Sequence, residues 1–397
     1  MSEMRPTALY YCQHSVGLGH LVRSLAIAEA LTVGFRVVVV SGGAIPRELS
    51  VPPDVELVAL PTIEASDGRG STLISLDPQL QLHDAWQLRR EILVNLLKSL
   101  RPAALVIELF PFGRRKFARE LIPLLEAARQ LSPSPAVVSS VRDILVHGKA
   151  NQQAHDDLAA RRLNQYFDAV IVHADPRFAT LDETFRPSIP LEPIVRYSGF
   201  VVRSADRPPT HHARERHVLV SAGGGRTGEV LFRAAVSAHL KHLVHQGIFT
   251  RLVTGPFLAP TIAADLETQA ADCDSLVISR FEPQLCEAMA SVSVSVSQCG
   301  YNTALDIIRA GVPALVVPYD VDGETEQATR ASRLSQRGVV HSLSMSNVTP
   351  ETLSAAIIRT LSRTSSRATF DLNGSEATAR IVVELVDQRT RCTVETE

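Results

Sequence analysis

The chain has 397 residues, 42 of them acidic and 40 basic, which gives a formal net charge of -2 at pH 7. This length predicts two domains, each burying its own apolar interior. Because both signs of charge are interspersed, the chain creates no global field that would favour nucleic acid or an anionic membrane, and a small-molecule partner is expected.

The five cysteines are scattered without any Cys-x-x-Cys pair, which argues against a disulfide framework or a zinc site and predicts reduced thiols in a cytoplasmic protein. The N-terminus lacks a secretory signal pattern, and the longest apolar runs are far too short to cross a bilayer. A peripheral contact with the inner face of a membrane remains open, because patches formed from separate helices leave no trace in a sequence.

In the first half, short β-branched runs alternate with segments of helical period. The predicted strands are 8–12, 37–40, 55–60, 105–108, 136–140 and 169–172. Helical patterns lie between them, for example at 21–31, 88–100 and 116–130. This βαβ rhythm predicts a doubly wound parallel sheet.

The second half repeats the rhythm. Its predicted strands are 217–221, 249–253, 276–279, 292–296 and 314–317. Between the halves, 204–216 is rich in proline and charge and has no apolar period, which is typical of a linker. The predicted fold class is therefore α/β with two Rossmann-like domains, 1–200 and 201–374, followed by a helix and tail at 375–397.

The first domain opens with a strand, a glycine loop and a helix. This segment contains His14, Gly17, Gly19, His20 and Arg23. The glycines of this loop would admit either an acceptor or the phosphates of the donor. His20 sits at a helix N-terminus, whose positive potential keeps an imidazole neutral and able to accept a proton. His20 is the candidate general base, although a capping or packing histidine is the alternative.

Three further charged residues follow predicted strands of the first domain, namely Glu108, Arg142 and Asp143. Because the carboxyl ends of parallel strands are where sites assemble, they are secondary candidates for the base or the acceptor site. Structural ion pairs explain them equally well.

The second domain opens with Gly223, Gly224, Gly225, Arg226 and Thr227, again between a strand and a helix. Successive glycines let a ligand approach the main chain closely, and the following helix N-terminus favours a diphosphate. Arg226 would add a direct charge. A βα turn without a ligand is the alternative.

A second cluster follows the strand at 292–296, where Gly300, Asn302 and Thr303 open a helix that carries Asp306. A carboxylate one turn into such a helix suits the hydroxyl groups of a ribose. Downstream, Glu326 and Gln327 begin another helix and are candidates for contacts with sugar hydroxyls, although Glu326 also fits simple compensation of the helix dipole. Phe281 is a candidate for holding the base, with a core position as its alternative.

These signatures resemble those of glycosyltransferases of the GT-B fold, and most closely of the family 28 branch that includes the N-acetylglucosaminyltransferase of the lipid-linked peptidoglycan precursor. The resemblance implies two Rossmann-like domains facing a cleft, a C-terminal helix that crosses back to the first domain, and an inverting, metal-independent transfer from a uridine nucleotide sugar. It therefore assigns no metal ligand and no cofactor beyond the donor substrate. The family more usually has Glu at the position of Asp306.

The same residues leave two other functions open. The loop from Gly17 to Ser24 is also similar to that of nucleotide-sugar hydrolases of nonulosonic acid biosynthesis, which use water as the acceptor. A non-catalytic nucleotide-sugar-binding partner is the third possibility, favoured only by Asp306. The sequence does not identify the acceptor, which is a small molecule, a lipid-linked molecule or a glycan.

Overall fold

The computed structural model describes residues 5–14, 19–46, 49–65, 72–147, 151–202, 214–362 and 369–395. The chain divides into two compact units, the first comprising Met1–Ser204 and Phe370–Glu397 and the second Ala205–Thr369. The sequence placed these divisions at 200/201 and 374/375. The charged linker predicted at 204–216 lies mostly outside the described residues, and a strand already begins at Arg214.

The first unit contains a seven-stranded parallel sheet in the order β3-β2-β1-β6-β7-β8-β9. Its strands are β1 (Thr7–Cys12), β2 (Arg36–Ser41), β3 (Val55–Ala59), β6 (Ala104–Glu108), β7 (Ala136–Arg142), β8 (Ala169–His173) and β9 (Ile194–Tyr197). A separate antiparallel hairpin is formed by β4 (Ile63–Ala65) and β5 (Leu73–Ser75). The helices of this unit are α1 (Gly19–Leu31), α2 (Leu82–Leu100), α3 (Ala118–Arg129), α4 (Gln152–Tyr166) and α11 (Gly374–Glu395).

The C-terminal helix α11 belongs to the first unit although the whole second unit precedes it in the chain. It packs against α1, and its Val382 and Leu385 are buried in the same core as Leu25 and Val39. Gly34 allows this close packing, because a Cβ there would lie 3.2 Å from Cγ2 of Val383. The core of the first unit is therefore completed by the end of the chain.

The second unit repeats the design with six parallel strands in the order β12-β11-β10-β13-β14-β15. The strands are β10 (Arg214–Ser221), β11 (Phe249–Val253), β12 (Leu276–Ser279), β13 (Val292–Ser297), β14 (Ala314–Val316) and β15 (Val340–Ser342). Its helices are α5 (Glu229–Ala238), α6 (Pro260–Ala270), α7 (Leu285–Ala290), α8 (Tyr301–Ala310), α9 (Glu326–Gln336) and α10 (Pro350–Leu361).

Both sheets reverse their strand order beside their first strand, between β1 and β6 in one unit and between β10 and β13 in the other. The central strands are continuous apolar runs because helices cover both faces of a doubly wound sheet. Ligands of such sheets bind outside the carboxyl ends of the strands at the point of reversal. Each unit therefore has one preferred place for a site.

Candidate functional site

At the reversal point of the first unit, one carboxylate lies between two basic side chains. Glu108 ends β6 and is fully buried. Its Oε1 accepts a hydrogen bond from Nδ1 of His20, 2.7 Å away, and forms an ion pair with Nη2 of Arg23. His20 and Arg23 stand one turn apart on α1, so a single helix delivers both to the strand end.

The protonation states of this pair follow from its surroundings. Burial lowers the pKa of His20 to about 3, and the attraction of Glu108 does not offset it. Burial alone would raise the pKa of Glu108, but His20, Arg23 and Arg114 outweigh it and hold that pKa well below its usual value. At neutral pH the carboxylate is therefore ionised, and the imidazole is neutral with its proton on Nδ1.

This arrangement leaves Nε2 of His20 as the proton acceptor. The side chain of His20 keeps 15% of its surface exposed, whereas Glu108 has none. A neutral imidazole whose Nδ1–H is fixed by a carboxylate is oriented to take a proton at Nε2, and the carboxylate stabilises the cation that forms. The pair can therefore act as a general base toward a hydroxyl group.

The other predicted residues of the first unit have different surroundings. Gly17 lies outside the described residues, and Gly19 is the first residue of α1. Asp143 is buried, while Arg142, at the end of β7, is half-buried and contributes to the low pKa of His20. His14 is buried and its Nε2 lies 2.8 Å from the carbonyl oxygen of Ala44, which gives it a structural contact.

In the second unit, the glycine loop at 223–225 packs closely against the loop that follows β11. Gly225 has a φ of +89°, and a Cβ there would lie 2.0 Å from the carbonyl oxygen of Thr254. Its amide donates to the carbonyl of Ala222 at 2.9 Å, so this amide is not available to a ligand. Gly223, with a φ of +53°, faces open space, since a Cβ there would meet nothing within 4 Å.

The glycine loop is also tied to the end of β13. Oγ1 of Thr227 donates to Oε1 of Gln298 at 3.1 Å, and Nε2 of Gln298 donates to the carbonyl of Thr227 at 2.8 Å. The guanidinium of Arg226 lies 5.5 Å from the centre of the Phe257 ring. The two strands that flank the reversal point thus carry loops with a fixed mutual position.

The helix that begins at this point has an open N-terminus. Gly300 precedes α8, and a Cβ added to it would meet nothing within 4 Å. Asn302 and Asp306 are four residues apart and half-buried, which places them on one face of α8, while Thr303 is buried. An anion next to Gly300 would meet the positive end of the helix dipole.

Glu326 and Gln327, the two candidate residues at the start of α9, have different hydrogen-bond partners. Oε1 of Gln327 accepts from the amides of Cys299 at 3.0 Å and of Tyr319 at 3.1 Å, which leaves its Nε2 to donate. Glu326 is only 3% exposed, and its Oε1 lies 2.7 Å from Nη2 of the buried Arg330. Arg330 also donates to the carbonyl of Cys299 at 2.9 Å, so this pair braces the loop before α8.

Phe281 follows β12 and is partly exposed, outside the core cluster of the second unit. The core alternative for this side chain therefore does not describe its position. A ring that is partly exposed beyond a strand end is accessible to a ligand.

This chain matches a protein-family model, and it is similar in sequence to named enzymes and in fold to solved structures. The model of the glycosyltransferase family 28 C-terminal domain matches residues 218–384. A UDP-N-acetylglucosamine--N-acetylmuramyl-(pentapeptide) pyrophosphoryl-undecaprenol N-acetylglucosamine transferase from Solidesulfovibrio magneticus is 24% identical over 351 residues, covering 86% of this chain and 85% of the relative. The enzyme of the same name from an Exiguobacterium species is 26% identical over 177 residues, 43% of this chain and 48% of that enzyme.

These matches indicate a glycosyltransferase that is similar to those of family 28. Its fold is also that of solved glycosyltransferases. CalG4, the calicheamicin glycosyltransferase, has a TM-score of 0.59 at 18% identity, with 99% of this chain and 97% of CalG4 covered. MurG from Acinetobacter baumannii has a TM-score of 0.54 at 16% identity, with coverage of 97% and 100%. The GT-B fold predicted from the sequence is thereby confirmed.

Sequence reasoning missed a fully buried ion pair in this glycosyltransferase. Arg89 of α2 makes two hydrogen bonds to the carboxylate of Glu120 in α3, at 2.7 and 2.8 Å, and neither side chain is exposed. Arg89 also donates to Oε1 of Gln13 at 2.6 Å and to the carbonyls of Gly42 and Pro61 at 2.9 and 2.8 Å. The pair thus holds the loops after β1, β2 and β3.

The described residues show neither a cluster of metal-binding side chains nor a membrane-spanning helix. Within the described ranges, no group of three or more His, Cys, Asp or Glu side chains is placed to hold a metal ion. Over those same ranges, no helix is both long and apolar enough to span a bilayer. No disulfide bond is formed by the four cysteines whose side chains the structure describes, Cys12, Cys273, Cys286 and Cys299.

Proposed function

We propose that this glycosyltransferase moves a sugar from a uridine diphosphate sugar to a hydroxyl group of an acceptor, with inversion at the anomeric carbon. The observation that carries the proposal is the buried contact between ionised Glu108 and neutral His20, because it supplies a general base at the reversal point of the first unit. The open N-terminus at Gly300 supports binding of the donor diphosphate in the second unit.

The proposed reaction is a single displacement. Nε2 of His20 takes the proton of the acceptor hydroxyl as its oxygen bonds to the anomeric carbon, and the bond from that carbon to the diphosphate breaks. The nucleoside diphosphate leaves with the electron pair. Growing negative charge on the leaving group is stabilised by the amides and dipole at the start of α8.

Different residues around α8 would bind different parts of the donor. Asp306 would accept hydrogen bonds from ribose hydroxyls, and Nε2 of Gln327 would donate to the sugar because its Oε1 is already occupied by two backbone amides. Phe281 would hold the base. Glu326 is better explained as the buried partner of Arg330 than as a sugar ligand.

Metal independence needs its own test, because the Asp-x-Asp sequence at 320–322 follows β14 at the same edge of the sheet. A panel of nucleotide sugars with uridine, guanosine and adenosine bases should be screened for thermal stabilisation in EDTA and again in Mg²⁺. We expect the uridine compounds to stabilise equally in both. Stabilisation only with Mg²⁺ contradicts metal independence, and no stabilisation by any compound contradicts the donor site.

The acceptor is then sought with the donor that binds. The names of two enzymes that are similar in sequence describe an undecaprenol-linked acceptor, so a lipid-linked hydroxyl compound is the first to test. Product mass must rise by one sugar residue for each nucleoside diphosphate released. Release of free sugar in place of a glycosylated product would indicate a hydrolase.

A further inference from the structure

A groove in the first unit has no role in the proposed donor and base sites. It has a volume of about 630 Å³ and is lined by the 111–117 segment, by α4 and by Phe185, among others. Cavities of this size are typical of small-molecule sites. The groove therefore has room for part of a ligand beyond the reacting hydroxyl.

The lining of this groove is strongly unbalanced in charge. Its basic side chains are Arg114, Arg115, Lys116 and Arg162, and its only carboxylate is that of Asp156. Both oxygens of Asp156 are engaged, one by Nε2 of Gln152 at 2.8 Å and the other by the amide of Arg186 at 2.9 Å. Because the whole chain carries a net charge of only -2, this excess of positive charge is local.

Arg162 is the central cation. It is half-buried, with its guanidinium 5.5 Å from the centre of the Phe110 ring. Its Nη1 is buried without a hydrogen-bond partner among the described residues, and burial together with Arg115 lowers its pKa. A buried donor of this kind is costly to leave unsatisfied, so a ligand atom that reached it would be favoured.

The neighbouring arginine also has no carboxylate partner in the described parts of the chain. Nη1 of Arg115 lies 3.1 Å from Nε2 of His155, and for the guanidinium to donate there the imidazole must be neutral. Arg115 thus adds a second positive charge to that of Arg162. Two guanidinium groups close to one another suit an anion with several oxygens, which each can grip with two N–H groups.

We infer that Arg115 and Arg162 bind an anionic group of the acceptor, a phosphate or a carboxylate, whose apolar portion packs on Phe112 and Phe185. These two rings line the same groove and contact each other edge to face, with centres 4.8 Å apart. Arg115 and Arg162 both line the groove, so an anion that pairs with their guanidinium groups must enter it. This favours a small ligand over the flat surface of a bilayer.

The groove begins close to the proposed base. Arg114 lines it and is near enough to His20 and Glu108 to lower the pKa of both. A ligand held by its anionic group in the groove would thus have its remainder close to Nε2 of His20. That the ligand is the acceptor rests on the proposed function, whereas the anion site itself does not.

Calorimetric titration of the whole protein tests the site with phenyl phosphate and benzoate, which combine an apolar ring with an anion, and with neutral benzyl alcohol. We expect at least one of the two anions to bind, and benzyl alcohol to bind at least tenfold more weakly. The double variant Arg115→Gln/Arg162→Gln should weaken anion binding at least tenfold. Arg161→Gln is the matched control, since Arg161 is an exposed neighbour on α4 outside the groove. The affinity of this variant for the anions should stay within twofold of that of the wild type.

The proposal is overturned if the double variant binds the anions as tightly as the wild type does, or if benzyl alcohol binds as well as they do. Vesicles containing phosphatidylglycerol form another arm. If they alone bind in an arginine-dependent manner, the surface docks on a membrane and the small-ligand proposal is wrong. If the double variant loses anion binding and the wild type responds to no nucleotide sugar, the anion site in the groove is supported and the proposed function is rejected.

Discussion

Nδ1 of His20 lies 2.7 Å from Oε1 of Glu108, although 88 residues separate the two in sequence. The contact exists because β1 and β6 are neighbours at the reversal point of the sheet, so the helix after one strand meets the end of the other. A buried carboxylate and a neutral imidazole in this geometry form a base that stays unprotonated near pH 7.

Removing this base should slow turnover without weakening binding of the donor. His20→Ala and Glu108→Gln are expected to lower kcat by about 10²–10⁴-fold, because proton transfer loses its acceptor in one and the orienting carboxylate in the other. His83→Ala, at an exposed histidine of α2, is the control and should leave kcat unchanged. Equal losses of donor affinity and kcat in His20→Ala would assign His20 to donor binding.

Two glycines of the second unit should respond differently to alanine. Gly300→Ala places its methyl group in open space at a φ of -63°, so the thermal midpoint should hardly change while affinity for a nucleoside diphosphate falls. Gly225→Ala should be strongly destabilising, because its φ is +89° and its Cβ would clash with the carbonyl of Thr254. Nucleotide affinity that survives Gly300→Ala unchanged would show that no ligand approaches the start of α8.

Gln327→Glu tests which atom of this side chain faces the sugar. One carboxylate oxygen can still accept from the amides of Cys299 and Tyr319, but the other replaces the donating Nε2. Affinity for a uridine diphosphate sugar should therefore fall, while affinity for uridine diphosphate alone is retained. Calorimetry with both ligands decides, and a parallel loss of both would mean that Gln327 only positions the loops.

The buried pair of Arg89 and Glu120 should be costly to break. Arg89→Met leaves the carboxylate of Glu120 buried and unpaired, and we expect a loss of about 3–5 kcal/mol in the free energy of unfolding. Arg36→Ala is the control at the exposed pair with Glu56, where about 0–1 kcal/mol is expected. Urea denaturation measures both, and similar small losses would contradict the structural role of Arg89.

Stability should fall as the pH is lowered from 7 to 5. His173 is fully buried, with ring nitrogens 2.7 and 2.9 Å from the hydroxyls of Ser140 and Ser198, and burial lowers its pKa to about 3. As the pH falls below about 6.5 the unfolded chain gains a proton that the folded chain does not, so the unfolding free energy drops, by about 2 kcal/mol at pH 5. His20, whose pKa is also about 3, adds a similar loss of its own. His173→Gln should therefore remove about half of the combined dependence on pH, and an unchanged slope would contradict the contribution of His173.

The main sheets could be predicted from the sequence because the buried strands of a doubly wound fold are runs of apolar, β-branched residues. It missed β4, β5 and β15, which have three residues each, and β9, whose burial alternates with exposure. Runs this short or this polar do not stand out from turns. Their pairing is set by neighbours that local sequence does not specify.

At the candidate site, the sequence named His20 and Glu108 separately but did not pair them. It gave Glu326 and Gln327 the same role, whereas the structure joins Glu326 to Arg330, one turn along the same helix. Arg89 and Glu120 gave no signal at all, because charged residues on amphipathic helices are usually exposed. Only the packing of α2 on α3 makes them a buried pair.

The proposed transfer depends on binding of a nucleoside diphosphate by the second unit at the start of α8. The most direct measurement is calorimetric titration of uridine diphosphate, in EDTA, into the wild type and into Asp306→Ala. We expect saturable binding by the wild type and at least a tenfold loss in the variant. If the wild type binds none of the uridine, guanosine and adenosine diphosphates, or if both proteins bind uridine diphosphate equally, the start of α8 is not the donor site.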